Sequence, residues 1–231
     1  MISIIIPTYN ESKLIGKLIN FLKEYGKNDI SEIIISDGGS TDNTIALAKS
    51  AGAQVITSLQ KGRAAQMNSG ASMATSDILY FIHADSLPPP SFFTDIDQAV
   101  KDGFELGRYR TKFQSKNRIL QFNAFFTRFD FLVCYGGDQT FFITKRLFEA
   151  IGGFNADMQL MEDYDIVTRA RALAKYKIIQ KDAKVSARKY KNNTWLQVQR
   201  ANYIIVQMYK KGASQENLAE KYRRLLSYRK G

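Results

Sequence analysis

Asp37, Asp85, Glu162, Asp163 and Asp165 stand where apolar runs give way to turns, and each suggests a chemical task. Asp37 ends the run Ile33-Ile34-Ile35-Ser36 and opens the turn Gly38-Gly39-Ser40-Thr41-Asp42. A glycine-rich turn on a helix N-terminus suggests a phosphate cradle. A carboxylate at its mouth would repel phosphate, so Asp37 better suits an imide N–H, a ribose hydroxyl or a metal. Turn formation and helix capping account for Ser40, Thr41 and Asp42. They leave Asp37 unexplained.

Asp85 closes Tyr80-Phe81-Ile82-His83-Ala84-Asp85. One carboxylate there suits a divalent cation whose other positions go to diphosphate oxygens and water. His83, the sole histidine, is a candidate ligand, a group behind the ligand, or a structural residue. Arg63, in Gly62-Arg63-Ala64-Ala65-Gln66-Met67-Asn68, starts a helix where the dipole disfavours a cation. That points to an anionic or planar ligand nearby, although a solvated arginine explains it equally well. In Met161-Glu162-Asp163-Tyr164-Asp165, the helix dipole alone explains the acidic cluster. One of these carboxylates becomes a general base only if it faces the other acidic turns.

Strands and helices must position these residues. Strand-like runs lie at 2–6, 32–36, 54–57 and 78–83, with helix-like stretches at 12–25, 43–51 and 63–75 between them. This alternation predicts a parallel sheet with right-handed crossovers. Asn10 and Ser12 are expected N-caps of the first helix, and Gly26 its stop. Leu87-Pro88-Pro89-Pro90-Ser91 is a rigid turn. Beyond it come a helix at 91–101, strand-like alternation at 104–113, phenylalanines at near-helical spacing over 122–131, a strand at 141–144 and helices at 146–151 and 163–175. From Lys181 on, the tail reads as basic and largely helical. No repeat or low-complexity linker divides the chain. One α/β domain is expected, with two functional halves (1–95 and 96–180) and a basic helical tail (181–231).

The 231 residues suffice for one continuous core. Apolar content of 45% and charged content of 24% are ordinary for a globular protein. A net charge of +11 is not, and it implies an anionic partner: nucleotide, nucleic acid or acidic membrane. The single cysteine, Cys134, excludes an internal disulfide and a cysteine-built zinc site, and fits a reducing compartment. No secretory signal is visible, since the run at 2–6 stops at Pro7. The stretch 119–134, interrupted by Gln121, Asn123, Arg128 and Asp130, is no membrane span.

The pieces 5–11, 36–42, 62–68, 83–85, 152–154 and 161–163, in that order, resemble glycosyltransferase family 2, the inverting nucleotide-sugar transferases of GT-A fold. His-Ala-Asp, Tyr-Gly-Gly-Asp-Gln (135–139) and Ser-Ala-Arg-Lys-Tyr (186–190) further resemble a small bacterial subgroup, the "transferase 2, radical-SAM/selenodomain-associated" proteins. The resemblance implies a mostly parallel central sheet flanked by helices, with 1–95 as the nucleotide-sugar half and 96–180 as the acceptor half. It implies that Thr8, Glu11, Asp37 and Arg63 hold the nucleoside of a UDP- or GDP-linked donor. Asp85, with His83 beside it, would bind Mg2+ or Mn2+ on the diphosphate. Asp163 would be the catalytic base, and Glu162, beside it in the same motif, a catalytic residue with it. Asp138 and Gln139 would touch acceptor or sugar, and Arg188 or Lys189 would assist at the diphosphate. His83 stands where the family's metal motif has its first Asp. Non-processive transfer is implied, because the membrane helices usual in processive synthases are missing. Family members often act on lipid-linked acceptors, which implies a cytoplasmic protein peripheral to the inner membrane face. The aromatic and basic stretches 122–131 and 195–211 would supply the contact, although core helices or a dimer face explain either stretch as well.

Two other readings compete. A nucleotidyltransferase also joins a nucleotide-binding half to an acidic metal site, but it needs a loop rich in glycine, lysine and arginine after the first strand, and Pro7-Thr8-Tyr9-Asn10 is not one. A non-catalytic binder of nucleic acid or membrane fits the basic charge but not the acidic turns.

Overall fold

The computed structural model describes residues 1–130 and 140–226. Its first half is a run of strand–helix units: β1 (Ile2–Thr8), α1 (Ile15–Gly26), β2 (Ile30–Asp37), α2 (Thr44–Ser50), β3 (Gln54–Thr57), α3 (Arg63–Met73) and β4 (Ile78–Phe81). The strands lie parallel in the order β3-β2-β1-β4. A parallel sheet covered by helices on both faces needs strands that are apolar throughout. Ile2, Ile4, Ile5 and Ile6 are accordingly all 0% exposed. Alternate residues serve opposite faces. Ile4, Ile6 and Tyr80 pack with Leu18, Ile19, Phe92 and Ile96, whereas Ile5, Ile34 and Phe81 pack with Ala64, Met67, Phe148 and Ile166. Gly70 lets α3 lie close on the sheet, since a Cβ there would come within 2.4 Å of Ile5 Cγ2.

The second half adds β5 (Ser86–Leu87), α4 (Phe92–Lys101), β6 (Leu106–Phe113), α5 (Arg118–Phe125), β7 (Phe141–Thr144), α6 (Lys145–Ala150), α7 (Glu162–Arg171), β8 (Tyr176–Val185), α8 (Trp195–Lys210) and α9 (Gln215–Leu225). Among the described residues all the strands join one sheet, ordered β3-β2-β1-β4-β7-β6-β8-β5. β7 runs antiparallel to β4 and β6, β5 antiparallel to β8, and β6 parallel to β8. The parallel character expected from the sequence thus belongs to the first half, and the whole sheet is mixed. No helix of the described residues is long and apolar enough to cross a membrane.

Three local expectations need correction. The tail is largely helical, as expected, but its helices begin after Val185, because Lys181 to Val185 complete β8 beside β6. The strand at 78–83 ends at Phe81, and His83 begins a turn in which its carbonyl accepts the Ser86 N–H at 3.0 Å. Neither Asn10 nor Ser12 caps α1. Its N-cap is Leu14, with no side-chain cap. The Asn10 Oδ1 instead accepts the Thr41 N–H at 2.9 Å, and the Ser12 N–H goes to Asp42 Oδ2 at 3.2 Å. Gly26 does end the helix.

Asp42 in turn holds the start of α2, accepting the Thr44 N–H at 2.9 Å and the Thr44 hydroxyl. The Thr44 hydroxyl first, then the donors from Ser12 and the Thr44 backbone, hold the Asp42 carboxyl at about 2, below its usual 3.8. A depressed folded-state value stabilises the fold above the unfolded value, and this is lost as pH falls through the folded one. The α2 turn should therefore loosen between about pH 4 and 2. Melting curves over that range should show a smaller acid-induced drop for Asp42→Asn than for the wild type; parallel curves would deny Asp42 this part.

Candidate active site

Thr8 and Asp37 are register partners at the carboxyl ends of β1 and β2, the edge where open α/β sheets bind ligands. Asp37 is 0% exposed. Its Oδ1 accepts the N–H groups of Gly39 at 2.9 Å and Ser40 at 2.7 Å. Its Oδ2 accepts the hydroxyls of Thr8 at 2.8 Å and Ser40 at 2.6 Å. An ionised carboxylate offers about four acceptor positions, and Asp37 uses that many. The residue that capping left unexplained thus ties two strand ends and a turn together. A nucleoside N–H can join Asp37 only by displacing a hydroxyl. Gln66, from α3, donates through Nε2 to Thr8 O at 2.7 Å and Ser36 O at 2.8 Å, fixing the helix against the same edge.

Glu11, Asp85 and Arg188 meet one another although the chain separates them widely. The Arg188 guanidinium donates to Glu11 Oε2 at 2.8 Å and Oε1 at 2.6 Å, and its Nε lies 3.0 Å from Asp85 Oδ2. The backbone explains why. Ser86 pairs with Val185, and the Ser186 N–H bonds to Asp85 O at 3.1 Å, so the chain leaving β8 starts at Asp85. A two-pronged guanidinium–carboxylate contact has both strength and a defined geometry. The pairs remain partly exposed, with the Arg188 side chain at 52%, so water screens them.

The acidic cluster of α7 divides its work. Glu162, 4% exposed, lies 3.2 Å from Arg63 Nη1. This pair joins the starts of α3 and α7, and makes Arg63 more than a solvated cation. Asp165 accepts from Arg169 Nε at 2.9 Å, and Arg169 also donates to the carbonyls of Ile151 and Gly153. Asp163 alone of the three lines a small cavity, about 20 Å3, with Arg108, Thr140, Phe141 and Tyr176. Burial, opposed by Arg108, pushes the Tyr176 phenol up to about 12, so it stays a donor near neutral pH. Met161, just before this cluster, has φ of 70°. For a non-glycine residue that left-handed backbone costs about 1–2 kcal/mol, and such strain gathers where surroundings enforce it.

Three positioning residues escaped the sequence reading. Gln66 is one. Asn68 is the second, exchanging two hydrogen bonds with the Phe154 backbone at 2.7 and 2.9 Å. Polar residues inside the Ala64-Ala65-Met67 stripe were the available signal. Arg108 is the third, 3% exposed in β6, donating to Thr127 O at 2.6 Å. Nothing in its neighbourhood along the chain marks it. Asp138 and Gln139 lie outside the described residues, as does Cys134. Lys189 donates to the Tyr222 hydroxyl and so faces α9. A separate open depression of about 560 Å3, against Pro88–Pro90 with Phe21 and Tyr25, shares none of these site residues.

Asp85 fits a divalent cation in one respect: a cationic guanidinium already rests against it. His83 precedes it in the same turn, but among the described residues no three His, Cys, Asp or Glu side chains gather into a metal cage. Mg2+ sites commonly take one or two carboxylates and leave the rest to phosphates and water. The residues present therefore suit a metal that arrives with a diphosphate.

Comparisons with known proteins bear on the whole. The family model "Glycosyl transferase family 2" matches residues 3–163. An uncharacterized glycosyltransferase of Rickettsia prowazekii is 33% identical over 138 residues, covering 60% of this chain and 40% of that protein. Glucosyl-3-phosphoglycerate synthase of Mycolicibacterium smegmatis is 28% identical over 100 residues, 40% of this chain and 33% of that one. The chain thus matches less than half the length of these relatives. Among solved structures, the mannosyltransferase PcManGT from Pyrobaculum calidifontis, in complex with GDP-Man and Mn2+, superposes with a TM-score of 0.70 at 17% identity, covering 97% of this chain and 69% of that one. Glucosyl-3-phosphoglycerate synthase from Mycobacterium tuberculosis, with Mn2+, UDP and glucosyl-3-phosphoglycerate, gives 0.62 at 19% identity over 92% and 80%. At such identities the likeness is one of fold, and the fold is the α/β GT-A arrangement expected from the sequence.

Proposed function

The chain belongs to glycosyl transferase family 2, and on that premise we propose that it moves a sugar from a nucleotide-diphosphate sugar to a hydroxyl acceptor, with inversion and without processive polymerisation. The observation that carries this reading is the meeting of Glu11, Asp85 and Arg188 beside the Thr8–Asp37 strand ends. A carboxylate pair bridged by a cation suits a diphosphate that comes with its own counter-ion. Thr8, Glu11, Asp37 and Arg63 would line the nucleoside. A divalent cation, Mg2+ or Mn2+, held at Asp85 with His83 near it, would neutralise the diphosphate. Arg188 would turn from its carboxylates to donate to the leaving group. Asp163 would take the acceptor's proton as the acceptor oxygen bonds to the anomeric carbon and the carbon–diphosphate bond breaks. Attack from the face opposite the leaving group inverts that carbon, and no enzyme nucleophile is used. Arg188 lies in the stretch 186–190 that carries the likeness to the bacterial subgroup.

Because no His, Cys, Asp or Glu cage surrounds Asp85 among the described residues, Mn2+ alone should shift melting little. UDP or GDP with Mn2+, at about a hundred times its dissociation constant, should raise the melting temperature by about 5–10 °C. Asp85→Ala should remove the Mn2+-dependent part of that rise. Equal shifts with and without Mn2+, or none with any nucleoside diphosphate, would sink the donor assignment. Release of pyrophosphate in place of nucleoside diphosphate during turnover would instead identify a nucleotidyltransferase.

A further inference from the structure

Helix α5 turns its larger side chains outward. It buries Leu120 and Ala124 against Phe113 and Val185. Ile119 is 52% exposed, Phe122 63% and Phe125 45%, and Phe126 and Phe129 in the following turn are 39% and 41% exposed. A surface helix ordinarily does the reverse. The rings form one contiguous patch, with Phe122–Phe126 centroids 5.1 Å apart, Phe125–Phe126 5.8 Å and Phe125–Phe129 5.9 Å. A contiguous exposed apolar patch with a polar rim marks an interaction surface.

The rim is cationic. From position 106 to 129 the sequence contains no Asp or Glu, while Lys116, Arg118 and Arg128 flank the phenylalanines. The first carboxylate after this stretch, Asp130, is taken by two hydrogen bonds from Arg171, at 2.7 and 2.8 Å. We infer that this face docks on an anionic lipid surface, the phenylalanines entering the headgroup boundary and the cations meeting lipid phosphates. The same charges oppose a second copy of this chain, because a two-fold contact would set like charges against each other. A nucleic-acid strand fits less well. The Phe126 ring packs edge-on at 86° with both Phe122 and Phe125, and the Arg128 guanidinium covers Phe125 at 3.8 Å, so few ring faces stand open for bases to stack.

The patch is also fastened to the candidate site. Arg108, which shares the small cavity with Asp163, donates to the carbonyls of Thr127 and Phe129, and Arg171 of α7 grips Asp130. Docking requires nothing of the donor edge, so nucleotide binding and lipid binding are tested apart.

The measurement is co-sedimentation with phosphatidylcholine vesicles, with and without phosphatidylglycerol. The wild type should sediment with the anionic vesicles and lose this in high salt. Phe122→Ser with Phe125→Ser should weaken it about tenfold or more. Arg118→Gln with Arg128→Gln should cost about fivefold per charge and flatten the salt dependence. Should the double phenylalanine variant melt well below the wild type, Phe122→Ser alone serves, since that ring is mostly exposed. Undiminished sedimentation of the phenylalanine variants, or equal sedimentation with pure phosphatidylcholine, would overturn the inference. So would light scattering that shows a dimer abolished by Phe122→Ser, or binding of a single-stranded oligonucleotide that needs the same phenylalanines.

Discussion

Asp163→Asn should bind donor as the wild type does and lose transfer by about 10²–10⁴-fold in kcat. The expectation rests on how α7 divides its carboxylates. Glu162 neutralises Arg63 across to α3, and Asp165 is held by Arg169 one turn along. Both contribute to the architecture. Asp163 lies between them in sequence and faces a cavity with room for about one water, beside the protonated Tyr176 and the buried Arg108. A general base must be reachable by the proton it removes, and of the three only Asp163 opens onto such a space. Asparagine keeps the size and loses the basicity, so packing at the start of α7 should survive. That loss is about 3–5 kcal/mol of transition-state stabilisation.

Two controls give the result its meaning. Asp165→Asn removes one i,i+4 pair and should leave kcat within about twofold, at a cost of a few tenths of a kcal/mol. Glu162→Gln breaks the Arg63 link and should raise KM for the donor more than it lowers kcat, if Arg63, which it positions, binds the nucleoside as proposed. Single-turnover transfer with saturating nucleotide-sugar separates these effects. A fully active Asp163→Asn enzyme would move the base elsewhere.

The two halves of the chain differed in how much the sequence disclosed. The first was legible because its strands are buried on both faces, and β-branched runs such as 2–6 and 32–36 have no other stable use. The second mixes strand directions. In β8, Lys181, Lys184 and Val185 read as part of a basic tail until pairing with β6 is seen. Asn10 and Ser12 look like helix caps because cap preference is local. Their hydrogen bonds go instead to the 41–42 turn, about thirty positions away. The site shows the same division. Carboxylates at strand ends announce themselves by type and place. That Arg188 reaches Glu11 across 177 positions, or that Arg63 meets Glu162, depends on topology that no window of sequence contains. Arg108 was illegible for a related reason: a buried arginine whose partners are backbone carbonyls leaves no complementary residue to find.

Asp37→Ala should cost the protein stability as well as donor binding. Four donors converge on that carboxylate, two backbone N–H groups and two hydroxyls, at a residue wholly out of solvent. Removing the acceptor takes the charge-assisted bonds from the N–H groups of Gly39, exposed in the turn, and Ser40, half-buried, and a hydrogen bond to a charged group contributes about 1.5–3 kcal/mol, here at the low end because water partly replaces it. The hydroxyls can rotate toward other acceptors, so the N–H groups dominate. A total of about 3 kcal/mol corresponds to a melting temperature lower by about 6–12 °C in a chain of this size. Asp37→Asn keeps one carbonyl acceptor and should fall between. Ser40→Ala separates the structural role from the reading of a nucleoside. It clears one hydroxyl from Asp37 Oδ2 and leaves both N–H bonds in place. If Asp37 accepts a nucleoside N–H, Ser40→Ala should keep or tighten uridine or guanosine diphosphate binding while Asp37→Asn weakens it. If Asp37 only braces the turn, both variants should bind in proportion to the folded fraction that remains. Calorimetric titration at a temperature where all three proteins are folded distinguishes the two outcomes.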